Sequence, residues 1–308
     1  MAVGSQRIIC GPTAAGKSAV ALELCESYNG AIVSADSRQI YCGFNIGTAK
    51  PTSTECARVT HYGVDVVEPD ERYSAARWAD DADEWIECAC EIDKTPAIVG
   101  GTGLYIRAFA DPLFEAPEVD ATRRAALERE LEQQSVAELR RWCQRLDPAR
   151  AHLGRTQLLR AVETALLAGE RISDLHQRDK LRVDANDEAR SLTYLVVDPG
   201  GSLHQRIERR VDAMVAAGWA DEVSELVRTV PPDAPAWKAS GYGVMRDHVT
   251  GKVDLSSARE RIIIETRQYA KRQRTWFRHQ LPPAAVTHVN PEDSHAAAVA
   301  REWWERAE

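Results

Sequence analysis

At 308 residues, with 44% hydrophobic and 28% charged side chains, the chain has the length and make-up of a globular protein with a sizeable core. No apolar run approaches the roughly 20 residues that cross a bilayer, and no leader of the secretory kind precedes the first strand signal, so neither a membrane protein nor a secreted one is expected. A formal net charge of −8 argues against a general nucleic-acid coat, and seven scattered cysteines read as reduced thiols of a cytoplasmic protein rather than a zinc site.

Ile8, Ile9 and Cys10 form a short apolar run that reads as a buried strand. Val20, Leu24 and Tyr28 then recur at helical spacing, so a helix begins near Lys17. Between them lies Gly11-Pro12-Thr13-Ala14-Ala15-Gly16-Lys17-Ser18, the phosphate-binding pattern G-x-x-x-x-G-K-[ST] in the strand–loop–helix setting it requires. Its glycines let backbone N–H groups turn inward, and the helix N-terminus adds partial positive charge. Lys17 is placed to reach a terminal phosphate, and Ser18 to put its hydroxyl on Mg²⁺. The motif binds a polyphosphate without saying which.

Ala31-Ile32-Val33 predicts the second strand, followed by Ser34 to Gln39. In a doubly wound parallel sheet the strand ends open onto the crevice that holds the phosphate loop, which turns Asp36 toward it. A helix N-cap before Gln39-Ile40-Tyr41 accounts for Asp36 equally well. Asn45 to Thr52 is a polar loop with one cation. Val64 to Val67 predicts a third strand, and Tyr73 to Ile92 a helix whose Trp78 and Trp85 lie on an apolar stripe and read as core. Pro96 to Val99 runs into Gly100-Gly101-Thr102-Gly103-Leu104-Tyr105, a second place suited to close backbone approach.

Composition shifts near Ala116-Pro117. From Glu118 to about Asp187 the chain is helical and charged, without strand signals. It reads as a helical subdomain, residues 117–190, inserted between core segments 1–116 and 191–308. On spacing alone Arg123, Arg124, Arg155 and Arg160 are solvated helix faces. Leu192 to Val197 returns to the sheet and ends in Asp198-Pro199. Leu203 to Val227 predicts one long amphipathic helix carrying Arg206, Arg209 and Arg210, and Gly241-Tyr242-Gly243 precedes another. From Glu265 to Glu292 no acidic residue intervenes, while Arg267, Lys271, Arg272, Arg274 and Arg278 are cationic. With Tyr269, Trp276 and Phe277 interleaved, this is a helix with one buried face and one basic face, meeting either a phosphate backbone or solvent. The fold class is α/β: a P-loop-containing parallel sheet core with an inserted helical subdomain.

Gly11 to Ser18, Asp36-Ser37-Arg38-Gln39-Ile40-Tyr41, Ile46 to Pro51, Gly100 to Tyr105, and Thr266-Arg267-Gln268 with Ala270-Lys271-Arg272-Gln273 occur in that order. Together they resemble the tRNA dimethylallyltransferases, also called tRNA isopentenyltransferases, over nearly the whole chain. The sequence departs from the family pattern at Cys42-Gly43-Phe44-Asn45, where the family usually has a basic residue, Gly, Met and Asp, and at Gly243, where a basic residue is common. The resemblance implies transfer of a dimethylallyl group from its diphosphate to the exocyclic amine of the adenosine just 3′ of the anticodon, in tRNAs reading codons that begin with U.

It further implies that Gly11, Pro12, Thr13, Ala14, Ala15, Gly16, Lys17 and Ser18 hold the donor, with Arg206 or Arg210 closing over the diphosphate and Mg²⁺ on Ser18. The leaving diphosphate needs cation density, and a carboxylate that accepts the amine proton lowers the barrier to attack, which gives Lys17, Ser18 and Asp36 their catalytic roles. The target base leaves its stack to react. The tRNA anticodon stem-loop is assigned to Asp36, Ser37, Arg38, Gln39, Thr102, Arg124, Arg155, Gly241, Tyr242, Arg267, Lys271, Arg272 and Arg274. A cytoplasmic monomer without membrane contact is expected. Three alternatives stay open: a small-molecule kinase using the loop for ATP and Leu195 to Asp198 as its metal-binding strand, an adenylate isopentenyltransferase, and a nucleotide-dependent RNA-binding switch without catalysis.

Overall fold

Short apolar runs with β-branched residues, too brief for helices, suit strands covered on both faces of a parallel sheet. The computed structural model describes residues 5–111, 120–185 and 190–307 and places six such strands in one all-parallel sheet. They are β1 (Gln6–Cys10), β2 (Gly30–Ser34), β3 (Thr60–Tyr62), β4 (Thr95–Gly100), β5 (Leu192–Val197) and β6 (Val286–Val289), in the spatial order β3-β2-β4-β1-β5-β6. β1 lies between β4 and β5, with Cys10 beside Gly100 on one side and Val196 on the other. The chain leaves β1 toward one edge and reaches the other only with β5 and β6, so the sheet's switch point lies at the end of β1, where such sheets bind ligands.

The chain divides into two compact units, 1–111 with 190–308, and 112–189. The predicted boundary at Ala116-Pro117, and the predicted end near Asp187, lie outside the described residues. In the sheet unit, α1 (Lys17–Ser27) and α13 (Ala296–Glu305) bury Leu24, Trp303 and Trp304 against Ile9, Val99 and Leu195. A second core is built by α9 (Leu203–Ala216), α10 (Trp219–Thr229), α11 (Tyr242–Val249) and α12 (Leu255–Gln280), around Ile207, Trp219, Tyr242 and Ile262. The sheet is further flanked by α2 (Ser53–Arg58), α3 (Ala75–Glu91) and α4 (Gly103–Ala110), with the Trp78 indole donating to the Ser34 carbonyl at 3.0 Å. The helical unit comprises α5 (Ala121–Glu132), α6 (Val136–Leu146), α7 (Arg155–Ala168) and α8 (Ile172–Ala185), around its own core of Leu131, Leu139, Leu158 and Val162.

Two expectations need correction. Val64 to Val67 is not a strand: Gly63 and Asp65 take positive φ (75° and 53°), which turns the backbone out of the extended region. Val67 keeps only a single bridge to Tyr41, and the third strand is Thr60–Tyr62, paired with Ala31 to Val33. The long helix from Leu203 to Val227 is two helices. Gly218 at φ 92° ends α9 and starts α10, which turns Trp219 into the core. β6 and α13 were not anticipated.

Candidate active site

The phosphate loop occupies the switch point between β1 and α1. Gly11 has φ 144°, and a Cβ there would meet the Val197 carbonyl at 2.1 Å, so only glycine lets the loop leave the sheet. Ala14 and Gly16 also take positive φ, 62° and 100°, which curls the loop ahead of the helix. Lys17 donates from Nζ to the Pro12 carbonyl at 2.8 Å, and Arg206 from Nε to the Ala14 carbonyl at 3.0 Å. Burial and the Arg210 cation push the Lys17 pKa down to about 8, with Asp36 pulling the other way. Burial likewise lowers the Arg210 pKa against the pull of Asp36. Two cations and one carboxylate therefore share a poorly solvated space, and the excess positive charge is what a diphosphate would neutralise.

Asp36 follows β2 directly. Its Oδ1 accepts the Arg38 N–H at 2.9 Å, and the backbone from Ser37 to Ile40 is a turn. The local role of this side chain is thus an Asx turn in place of a helix cap. Thr102, after β4, accepts the Ser37 N–H on Oγ1 at 3.1 Å and donates its own N–H to the Ala35 carbonyl at 3.1 Å. Tyr269 of α12 stands beside Thr102, and burial, with Asp36 adding to it, raises its pKa to about 12. A cavity of about 620 Å³ opens here, lined among others by Thr13, Asp36, Arg38, Arg210, Tyr269 and Arg272. Ser18 is exposed in the first turn of α1 and Lys17 is half-buried; neither lines the cavity.

The polar loop after β2 is pinned from several sides. Gln39 donates to the carbonyls of Thr48 (3.2 Å) and Ala49 (2.9 Å) and accepts the Ser34 hydroxyl at 3.0 Å. Lys50 donates to the Tyr41 carbonyl at 2.5 Å and pairs with Asp65. Glu222 accepts the N–H groups of Asn45 (3.1 Å) and Ile46 (2.8 Å), while the Tyr242 hydroxyl donates to Glu222 at 2.7 Å and accepts the Gly47 N–H at 3.1 Å. Tyr242 is 0% exposed, so any effect on an RNA surface passes through this loop rather than through contact. Gly241 and Gly47 line the cavity.

The family model for IPP transferase matches residues 39–280, and that for isopentenyl transferase matches residues 4–64. The chain belongs to the IPP transferase family. It is 37% identical over 294 residues to a tRNA dimethylallyltransferase of Cyanothece sp., covering 93% of this chain and 92% of that one. With a tRNA dimethylallyltransferase of Anaeromyxobacter sp. it shares 38% over 296 residues, covering 94% and 95%. The solved tRNA isopentenylpyrophosphate transferase of Bacillus halodurans matches with a TM-score of 0.68 at 30% identity, covering 99% of this chain and 96% of that chain. A eukaryotic dimethylallyltransferase acting on tRNA has the same fold, with a TM-score of 0.73 at 23% identity, covering 93% and 73%. Among the described residues no helix is long and apolar enough to cross a membrane.

In this IPP transferase chain the basic helix is only partly free. Arg267 pairs with Glu208 of α9, and Arg274 donates from Nε to Asp198 at 2.8 Å and from Nη2 to the Gly200 carbonyl at 2.5 Å. Arg272 lies 5.7 Å from the Tyr269 ring, and Lys271 is exposed. In the helical unit Arg124 pairs with Glu163 at 2.5 Å, and Arg155 donates to the carbonyls of Gln134 (2.5 Å) and Glu132 (2.7 Å) at the end of α5. Two polar residues that organise the site were not among the expected site residues: Glu222, and Gln273, which stands in the motif that carries the family resemblance. Thr266, Tyr269 and Gln273 recur at helical spacing, and that polar stripe was the signal for the second. Among the described residues no group of three His, Cys, Asp or Glu side chains stands together as a metal cage. A divalent ion at the loop would rest on the Ser18 hydroxyl, phosphate oxygens and water, a donor set that suits Mg²⁺.

Proposed function

We propose that the chain transfers a dimethylallyl group from dimethylallyl diphosphate to the exocyclic amine of the adenosine 3′-adjacent to the anticodon, in tRNAs reading codons that begin with U. The observation that carries this reading is the electrostatic grouping of Lys17 with Arg210 and Asp36, of which Arg210 and Asp36 line one cavity, in a member of this family. The amine nitrogen bonds to C1 of the allyl group, the C1–O bond breaks with its electron pair going to the diphosphate, and the amine proton passes to Asp36. Lys17 and Arg210 supply positive charge where the leaving oxygen becomes negative. The Ser18 hydroxyl would hold Mg²⁺, which would supply further positive charge there. The second Asp36 oxygen takes the proton while Oδ1 stays on the Arg38 N–H. Arg38 and Arg272 line the cavity that receives the flipped base, and the exposed cations of α12 meet the tRNA backbone. The chain works as a monomer in the cytoplasm, where its substrate is.

A kinase would need a free carboxylate at the end of the strand beside β1. Asp198 is there, but its carboxylate is held by Arg274. Radiolabelled dimethylallyl diphosphate offered with bulk tRNA or with AMP tests the reading directly. Label in tRNA is expected. Label in AMP alone would make the chain an adenylate isopentenyltransferase, and ATP hydrolysis without label transfer would make it a kinase-like enzyme.

A further inference from the structure

Gln273 lies in the C-terminal third of α12, 6% exposed, and touches both glycine turns of the site. Its Oε1 accepts the Thr13 N–H of the phosphate loop at 2.8 Å, and its Nε2 donates to the Gly101 carbonyl at 2.8 Å. A Cβ at Gly101 would stand 2.4 Å from that Nε2, so the glycine is what admits the amide. The two partners fix the orientation: an N–H requires the oxygen and a carbonyl requires the NH₂ group. A carboxylate offers acceptors only, and asparagine is one methylene shorter. One turn earlier on the same helix Tyr269 stands beside Thr102, and Thr102 holds the Ser37 N–H next to Asp36.

We propose that Gln273 is a positioning residue of the transfer reaction, setting the distance between the phosphate loop and the wall that carries Asp36 and Thr102. β1 and β4 are neighbours in the sheet, but the loops beyond them leave it, and the amide ties these loops above the strand ends. Thr13 spends its N–H on this tie, as Ala15 spends its own on the Pro12 carbonyl, so neither is among the loop amides that would face phosphate. Donor and acceptor must meet within a few tenths of an ångström of the reactive geometry, so slack between these two loops costs rate even when both ligands are bound.

The inference rests on the reading of the loop as a donor site, and its test separates the two. Gln273→Met keeps the volume and removes both hydrogen bonds. Gln273→Glu keeps an acceptor for Thr13 and loses the donor for Gly101. In the full-length protein without ligands, amide exchange of residues 11–16 is expected to quicken at least about tenfold in the Met variant and to stay near wild type in the Glu variant. Single-turnover transfer at saturating donor and tRNA is expected to fall by about tenfold or more in both, with tRNA affinity within twofold of wild type. Wild-type transfer rates in either folded variant overturn the proposal, as does equal loss of tRNA and donor binding, which marks general disruption. If Gln273→Met does not fold, the Glu variant decides by its rate. Should the wild type itself fail to transfer the group, the donor reading falls, and the exchange experiment still reports on the tie.

Discussion

Lys17 carries its charge where burial resists it, with the Arg210 cation adding to the cost and a pKa of about 8 as the result. An anionic diphosphate restores the charged form, so above pH 8 donor binding takes up a proton. Affinity for a non-reactive alkyl diphosphate should therefore be flat in this group below pH 8 and weaken by up to about tenfold per pH unit above it. Lys17→Arg, which stays charged through that range, should lose the decline. A wild-type affinity unchanged from neutral pH into the alkaline range, measured by calorimetry, would remove Lys17 from the diphosphate. Asp36 permits a cleaner separation of shape from charge. Asp36→Asn retains an oxygen for the Arg38 N–H but takes no proton from an amine. It should melt like wild type and bind both substrates, yet lose at least about 10²-fold in single-turnover rate, since a general base contributes about 10²–10⁴-fold. A rate within a few-fold of wild type would make the Asx turn its whole role.

Among elements, those with one strong local signal were legible. The phosphate loop, β1, β2, β4, β5 and α3 stand where periodicity and glycine placement put them, because each carries its own continuous apolar run, apolar stripe or glycine pattern. β3 was displaced because Thr-His-Tyr shows little hydrophobic pattern, and its pairing with β2 comes from the sheet rather than from itself. The break at Gly218 was passed over because the apolar spacing of Ile207, Val211, Met214, Val223 and Leu226 continues on both sides of it. The pairing of site partners far apart in sequence, such as Glu222 with the Asn45–Ile46 backbone and Gln273 with Thr13, cannot be read locally, even where a stripe such as Thr266-Tyr269-Gln273 marks one partner. The same holds for α12, whose cations looked alike in sequence and differ in the fold. Arg274→Ala should strip Asp198 of its partner and lower stability by about 1–2 kcal/mol, given that both side chains are partly solvated. Lys271→Ala should stay within about 0.5 kcal/mol of wild type. Urea denaturation midpoints check both, and equal midpoints would show that the Arg274–Asp198 pair contributes nothing in solution.

For the whole molecule, a net charge of −8 means that no general attraction draws a polyanion to this protein. Binding of tRNA then depends on local cations whose charge is not already neutralised by a neighbour. On α12 these include the exposed Arg261, Lys271, Arg272 and Arg278, while Arg259, Arg267 and Arg274 are held by Asp212, Glu208 and Asp198. Each phosphate contact contributes about 0.7 to 0.9 to the slope of log K against log salt. Replacing Lys271 and Arg278 together by alanine should thus reduce the slope by about 1.4 to 1.8 and leave donor affinity unchanged. Replacing Arg267 and Arg274 together should reduce it by less than about one contact, because their charge is balanced before tRNA arrives. Filter binding at several salt concentrations distinguishes the outcomes. An unchanged slope in the first variant would make the basic helix a solvated face. An equal loss in both would show that the two ion pairs open and turn their arginines onto the RNA.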